Sequence, residues 1–415
     1  MKTNPFISSI FVEKWIKHFI PEDLVYQFRG VEHVSFYKKK LLPLYVNLGR
    51  NLTKGLSYNL TLDTADMLKG KVFLIYDIPT YFNTNTLQLP ESIGLHKVEQ
   101  YPGFLIDLEK FEDITSYLQA TFSKSSRYKL KKYWKRFETC FEVKYTMYWG
   151  EMNPEQFNYI FDCFYELLQK RFKEKAEYNN NLDLKEWNFY KEVAYPLILE
   201  EKASLFVIYN ATKPIAITLN FLDKEILIDA ITVFDTDYAK FHLGSINIIK
   251  QIEWCLERNF KTFDFSKGFF DYKERWSTLR YSFNYHILYD TTSLVSKGIA
   301  NSLSQYYKLK KELRDRGLNR LFHSLRFKNG QKKSVRSKML FDYVQYNKTI
   351  DLAQLIRIGN PITSTTLPVS LLFDFLYLNQ IKYEELEVFE VVSKKNQFLF
   401  QVGDKKVLAT INNVA

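Results

Sequence analysis

Apolar positions along the chain switch between two periods. Short apolar runs at 205–209, 215–221 and 226–233, joined by Asn210-Ala211-Thr212-Lys213-Pro214 and by Asp223-Lys224, predict an antiparallel meander. The period then lengthens: Ile248, Ile249, Ile252, Cys255 and Leu256 share one face and predict a helix over 245–257. The run 262–265 is long enough only for a buried strand, and 281–289 alternates as another. The order β-β-β-α-β-α-β predicts a mixed sheet, with the strands on either side of the Gly244 helix parallel through a right-handed crossover.

Upstream, 113–137 has a helical pattern interrupted at Ser123, Ser125 and Ser126, which predicts a break and a new N-cap. A strand over 141–148 follows, then a helix opened by Pro154 whose stripe Phe157, Ile160, Phe161, Phe164 and Leu168 belongs in a core. Residues 1 to about 110 mix short strands and helices, with a strand over 72–78 closed by Pro79 and another over 104–108 after Pro102-Gly103. Past Thr291 a basic amphipathic helix is expected to about Phe327, then a Lys-rich linker over 328–338. A small module follows, with helices near Leu352 and Leu371 and strands over 386–392, 397–402 and 406–411. The expected division is 1–110, an α/β unit; 111–290, the main domain; 291–334, a basic helical linker; and 335–415, a small α+β module.

Composition narrows this only a little. At 415 residues two or three cores are expected, and 46% hydrophobic residues can fill them. The formal net charge of +11 favours a polyanionic partner, be it a phosphate-bearing cofactor, nucleic acid, anionic glycan or membrane surface. The excess gathers in 124–136 and 308–338, which read equally as solvated helix faces. Cys140, Cys163 and Cys255 are odd in number and widely spaced, so free thiols in a reducing compartment are expected, with no metal site. The N-terminal apolar run is too short for a signal or a span, and we expect a cytoplasmic protein without a transmembrane segment.

The stretch 225–276 carries the chemistry. A strand feeding a helix through a small-residue turn presents free amides and a positive dipole end, a place for an anionic cofactor such as a pyrophosphate; the turn here is Lys240-Phe241-His242-Leu243-Gly244-Ser245, in which His242 is a candidate contact or else a surface or packing residue.

With FSKSSRYKLKKYWKRFE upstream, and FDTDYAKFHLGSINII and FDFSKGFFDYKERW downstream, the chain resembles the GNAT superfamily over roughly 103–289. The resemblance is to its BioF2-like acetyltransferase branch, related to CelD-like and FemAB-type proteins. Members join an Asp-rich segment to a Gly-initiated helix, then close on Asp-Phe-Ser-x-Gly and Tyr-Lys, matched here by Asp264, Phe265, Ser266, Gly268, Tyr272 and Lys273. The resemblance implies an α/β (α+β) fold with a GNAT-like mixed central sheet flanked by helices. It also implies a FemAB-like tandem arrangement, with 1–110 as a degenerate GNAT-like unit. Acyl transfer to an amine follows, from acetyl-CoA or another acyl-CoA, or from aminoacyl-tRNA as in FemAB-type enzymes. The acceptor would be a small-molecule amine such as an amino sugar or amino acid, or an envelope glycan precursor. One departure stands out: the usual pyrophosphate loop has two close glycines, and here Gly244 is alone.

Amine attack on a thioester needs a neutral nucleophile, donors for the oxyanion and a proton for the leaving thiolate. Asp229, interrupting an apolar strand, is a candidate to take or anchor the amine proton, or else a solvent-side residue. Asp264, ending a buried strand at the sheet's carboxyl edge, is a candidate catalytic group. Tyr272 is a candidate donor to the thiolate or a packing residue. Lys273 is assigned, with its match in FemAB-type relatives, to a phosphate or carboxylate of the acceptor. Arg127, one turn from Lys131, is a candidate for sharing that anion; Asp235 is a candidate substrate contact or a turn cap. A third reading makes the basic helices and terminal module a non-enzymatic platform for nucleic acid or an anionic membrane surface.

Overall fold

The computed structural model describes residues 4–316 and 339–413, apart from 22, 23, 62, 83, 85–88, 176–178, 347–353, 393 and 395. The first part of the chain gives α1 (Ser9–Phe19), β1 (Val25–Gln27), β2 (Ser35–Lys38), β3 (Leu44–Asn47), α2 (Thr64–Leu68), β4 (Val72–Pro79) and β5 (Ile93–Asp107). Next come α3 (Ile114–Thr121), α4 (Lys124–Cys140), β6 (Val143–Tyr148), α5 (Pro154–Lys175), α6 (Leu184–Leu199), β7 (Ala203–Asn210), β8 (Lys213–Asp223) and β9 (Ile226–Phe234). Then α7 (Leu243–Glu257), β10 (Thr262–Lys267), α8 (Asp271–Trp276), β11 (Leu279–Asp290) and α9 (Leu294–Asp315) follow.

All eleven strands join one mixed sheet, ordered β1-β2-β3-β4-β11-β5-β10-β9-β8-β7-β6. β7 to β9 form the antiparallel meander that the apolar runs predict, β6 pairs antiparallel with β7 at its edge, and β10 returns parallel to β9 after α7. β4 and β5, from the N-terminal region, flank β11 on either side.

Helices cover both faces, which is why the central strands are buried nearly throughout. The α5 stripe packs with Trp187 and Val193 of α6 against Ile217, Leu219 and Ile231. On the other face Ile248, Ile249 and Ile252 of α7 meet Phe104, Ile106 and Phe263. The helical signal at 113–137 divides as the serines predict: the side chain of Ser123 caps α4 by accepting from the Ser126 amide, and Asp113 caps α3.

β5 starts well before the expected strand over 104–108, at Ile93. Pro102-Gly103 does not precede the strand but lies inside it, opposite Ser282 and Tyr281 of β11. Gly103 is required there: a Cβ would stand 2.2 Å from the Tyr281 ring.

The C-terminal module has β12 (Met339–Gln345), β13 (Leu355–Arg357), α10 (Val369–Asn379), β14 (Glu387–Val391), β15 (Gln397–Val402) and β16 (Lys405–Asn413). Its antiparallel sheet runs β12-β16-β15-β14-β13, two strands more than the sequence suggests. Phe373 of α10 packs on Phe141 and Tyr238, tying the module to the end of α4 and the loop before α7. The expected helix near Leu352 and the Lys-rich linker lie outside the described residues; α9 ends at Asp315, short of the expected Phe327, and the stretch beyond Arg316 is likewise outside them. Among the described residues no helix is long and apolar enough to cross a membrane.

Candidate active site

The parallel strands β9 and β10 pair only from Ile226–Thr262 to Ile228–Asp264. β9 runs on to Phe234 without β10 beside it, and a cleft of about 370 Å³ opens there. Its walls are Asp229, Thr232 and Phe234 of β9, the first turns of α7, and Tyr272, Arg275 and Trp276 of α8, with Arg171 of α5 at the rim. A larger groove of about 1330 Å³ lies between α1 and β1–β2, away from this chemistry.

Asp229 reaches the cleft through a bulge. It opposes Asn220 while Ile231 opposes Leu219, leaving Ala230 as an extra residue in the ladder. Thr232 Oγ1 donates to Asp229 Oδ1 at 2.7 Å. Burial raises the Asp229 pKa from its ordinary value, against the bond from Thr232 and the pull of Lys273 and Lys54. Burial also pushes the Tyr272 hydroxyl up, so it stays protonated through neutral pH.

At the far end, α7 begins on His242, which takes the left-handed conformation (φ 54°) with no side-chain cap. The amides of Ser245 and Ile246 turn back to the His242 carbonyl, leaving those of Leu243 and Gly244 without a bond to the described chain. Gly244 is therefore not the turn residue but lies within the helix, where a Cβ would approach Phe234 to 2.9 Å. Its lack of a side chain lets α7 sit closely on β9. The His242 ring stacks on Tyr133 at 3.8 Å, and burial together with Arg275 lowers its pKa.

The other candidates lie elsewhere. Lys240 points at the C-terminal module, paired with Asp374 and placed 5.8 Å from the Tyr377 ring centre. Asp235 caps the 3-10 turn Thr236–Phe241 by accepting from the Asp237 amide, and is paired with Lys170. Arg127 donates to the Phe122 carbonyl at 2.6 Å, which fixes the α3–α4 junction. Each is engaged in holding loops, and none lines the cleft.

Asp264 is fully buried behind the cleft. Its carboxylate accepts from Tyr81 at 2.7 Å, from Tyr281 at 2.7 Å and from the Ser266 amide at 2.7 Å. Burial raises its pKa to about 6, with the two tyrosines, the amide and Lys273 acting in the opposite sense. Lys273 is buried as well, donating to the Lys267 carbonyl at 3.1 Å. Burial brings its pKa down to about 8, against attraction by Asp229 and Asp264. The structure thus brings together Asp229, Tyr272, His242, Gly244 and Ser245 around the cleft, with Asp264 and Lys273 beneath.

Sequence reasoning missed Arg171 and Arg275, both on the cleft. It also missed Tyr81 and Tyr281, the partners of Asp264. Arg275 stands two residues past the Tyr-Lys pair and was within reach of the motif; Tyr81 lies in a region without one. Among the described residues no three His, Cys, Asp or Glu side chains gather as a metal site.

Residues 124–274 match a family model described as "Acetyltransferase (GNAT) domain". No curated protein is similar at a significant level. Among solved structures, a conserved protein of unknown function from Bacteroides thetaiotaomicron VPI-5482 is 11% identical, with a TM-score of 0.43 over 69% of this chain and 92% of that one. FemX is 10% identical, with a TM-score of 0.44 over 64% of this chain and 86% of that one. L-PGS from Bacillus licheniformis is 13% identical, with a TM-score of 0.40 over 68% and 86%. On the family match, the region from α4 to α8 that builds the cleft is a GNAT acetyltransferase domain, and the chain that carries it is an acyltransferase.

Proposed function

We propose that the protein transfers an acyl group from acyl-CoA, acetyl-CoA being the first choice, to the nitrogen of an amine. The observation that carries this reading is the cleft where β9 loses β10, with free amides at one end and Asp229 and Tyr272 at the other. A bound CoA would set its pyrophosphate against the Leu243 and Gly244 amides, with Arg171 and Arg275 supplying the cations that a second loop glycine would otherwise make unnecessary. Phe234, Ile248 and Trp276 give its pantetheine arm an apolar wall.

In the transfer, the amine lone pair attacks the thioester carbonyl and the C–N bond forms. Asp229 takes a proton from the new ammonium, the C–S bond breaks, and Tyr272 protonates the departing thiolate. A raised carboxylate pKa suits a base that must release its proton again, and the raised tyrosine pKa keeps the donor loaded.

Calorimetry with acetyl-CoA tests the reading. Binding in the micromolar range, weakened by Arg275→Ala, is expected. Absence of binding for any acyl-CoA, together with salt-sensitive binding of aminoacyl-tRNA, would move the donor to the tRNA class.

A further inference from the structure

A second set of polar groups lies between the cleft wall and the N-terminal strands, and the donor cleft does not use it. Three strand ladders break around it. β4 carries an extra residue against β11 at Tyr76–Asp77, β9 carries one after Asp229, and β10 carries one at Phe265–Ser266. Asp77 and Ser266 both take the left-handed conformation, each at φ 60°, which is costly for a side chain other than glycine.

The side chains are linked across the sheet. Lys267 Nζ donates to Asp77 Oδ2 at 2.5 Å and to the Thr53 carbonyl at 3.2 Å, and Thr53 Oγ1 donates to the same Asp77 oxygen at 3.0 Å. Lys273 reaches the Ser266 and Lys267 carbonyls. Lys54, adjacent to Thr53, is attracted by Asp77, Glu186 and Asp229, yet makes no hydrogen bond or ion pair with a described residue.

The groups left over define a ligand. Among the described residues Asp77 Oδ1 and Ser266 Oγ are buried without a partner, in residues 0% and 4% exposed. Buried polar atoms are almost always bonded to protein, water or ligand. An unpaired ammonium calls for an anion, and an unpaired carboxylate oxygen calls for a donor. Lys54, Lys267 and Lys273 face Asp77, Asp229, Asp264 and Glu186, so the surroundings hold no cationic excess for a phosphate ester. A ligand that brings one ammonium and one carboxylate leaves that balance unchanged.

We propose that this cluster is the acceptor seat, and that the acceptor is a small amine carrying a carboxylate, of the amino-acid type. Lys54 holds its carboxylate, and its amine lies toward Asp229 at the cleft wall. This rests on the acyltransferase reading, which assigns the other side of that wall to the donor. The N-terminal region thereby supplies Lys54 and Asp77 to a site whose remaining members come from the GNAT domain.

The test uses the full chain with acetyl-CoA, the twenty common α-amino acids, their amides and glucosamine. Calorimetry is run on the wild type, Lys54→Met and Ser266→Ala, with thermal melts as the folding control. We expect one or more amino acids to bind and be acylated, with the matching amide at least 10-fold weaker. Lys54→Met should raise KM for the amino acid at least 10-fold, abolish the preference over the amide and leave acetyl-CoA affinity within twofold. Ser266→Ala should weaken the amino acid without that loss of preference. Binding of acetyl-CoA with no amino acid bound, a preference for glucosamine or the amides, or an unaltered KM in Lys54→Met overturns the seat while leaving the donor reading intact. Loss of acetyl-CoA binding in the wild type is the separate failure of that reading.

Discussion

The cleft proposed for the donor and the polar cluster around Asp264 share a wall in Asp229, but they are made in opposite ways. The cleft comes from regular elements: a strand that outruns its partner, a helix that starts on a left-handed residue, and a short helix, α8, set across the opening. The cluster comes from irregular ones, namely the bulges and the side chains they redirect. A helix end and a strand edge can recur in many proteins with little dependence on residues far away in sequence. The cluster depends on distant partners: Tyr81 and Asp264 are 183 positions apart, and Lys267 and Asp77 are 190 apart. Regular geometry suits a common donor, and the idiosyncratic part suits recognition of an individual acceptor.

The largest effect expected on this contrast comes from Asp229, where the two regions meet. Asp229→Asn keeps shape and the bond from Thr232 but removes the base proposed above, and kcat should fall by roughly 10²- to 10⁴-fold. Acetyl-CoA affinity should stay within about threefold, since the α7 amides and the arginines proposed to hold the donor are untouched. A loss confined to donor affinity would instead make Asp229 part of the cleft wall alone. Steady-state kinetics beside calorimetry separates the two outcomes.

Asp264 tests the cluster through stability. Its folded pKa of about 6 lies above the unfolded value of about 3.9, so the folded chain holds this proton more tightly. The unfolded state binds fewer protons between pH 4 and 6, and stability therefore falls as pH rises through that window. The two-unit difference corresponds to roughly 3 kcal/mol, lost by pH 7 and regained on acidification to pH 4. Asp264→Asn removes the titration, and the difference in unfolding free energy between variant and wild type should drift across that window by about this amount. Tyr81, Tyr281 and Lys273 face the carboxylate and keep high or basic pKa values, so they do not titrate there. A parallel pair of stability curves from pH 4 to 7 would show that the bonds from tyrosine outweigh burial.

How much of this was readable in the sequence divides along the same line. The meander, the α7 crossover and the break at Ser123 follow from period and capping, which act over a few residues and leave their mark in order. Asp229, Asp264, Tyr272 and Lys273 stood out because a charge or hydroxyl interrupts an apolar pattern or falls on a motif. Lys54, Asp77 and Tyr81 sit in strands and turns of ordinary composition, and only long-range contacts, the pairing of β4 with β11 and the bonds from Leu56 to Asp77 and from Lys267 to Thr53, bring them to the site. Pro102-Gly103 misled because those residues usually end strands, whereas here Gly103 makes room for a ring. Gly103→Ala should drive the Tyr281 ring off Asp264 and cost about 1–3 kcal/mol in a denaturation curve, with Tyr281→Phe as the control that removes the bond and keeps the ring. Equal losses in the two variants would mean that the ring simply moves aside.

The smallest effect expected is the one that separates a nearby cation from a binding one. Lys240 precedes α7 and by position belongs to the phosphate end, yet its ammonium is committed to Asp374 and Tyr377 of α10. Its side chain is 48% exposed, so that pair contributes at most about 1 kcal/mol. Arg275 lies 31 positions beyond Gly244, but it faces the cleft. Lys240→Ala should therefore change acetyl-CoA affinity less than twofold, while Arg275→Ala weakens it several-fold in a manner that fades with added salt. The reverse order would place the donor's phosphates over the C-terminal module and make α10 part of the donor site, erasing the distinction between a cleft built inside the GNAT domain and a module that only braces it.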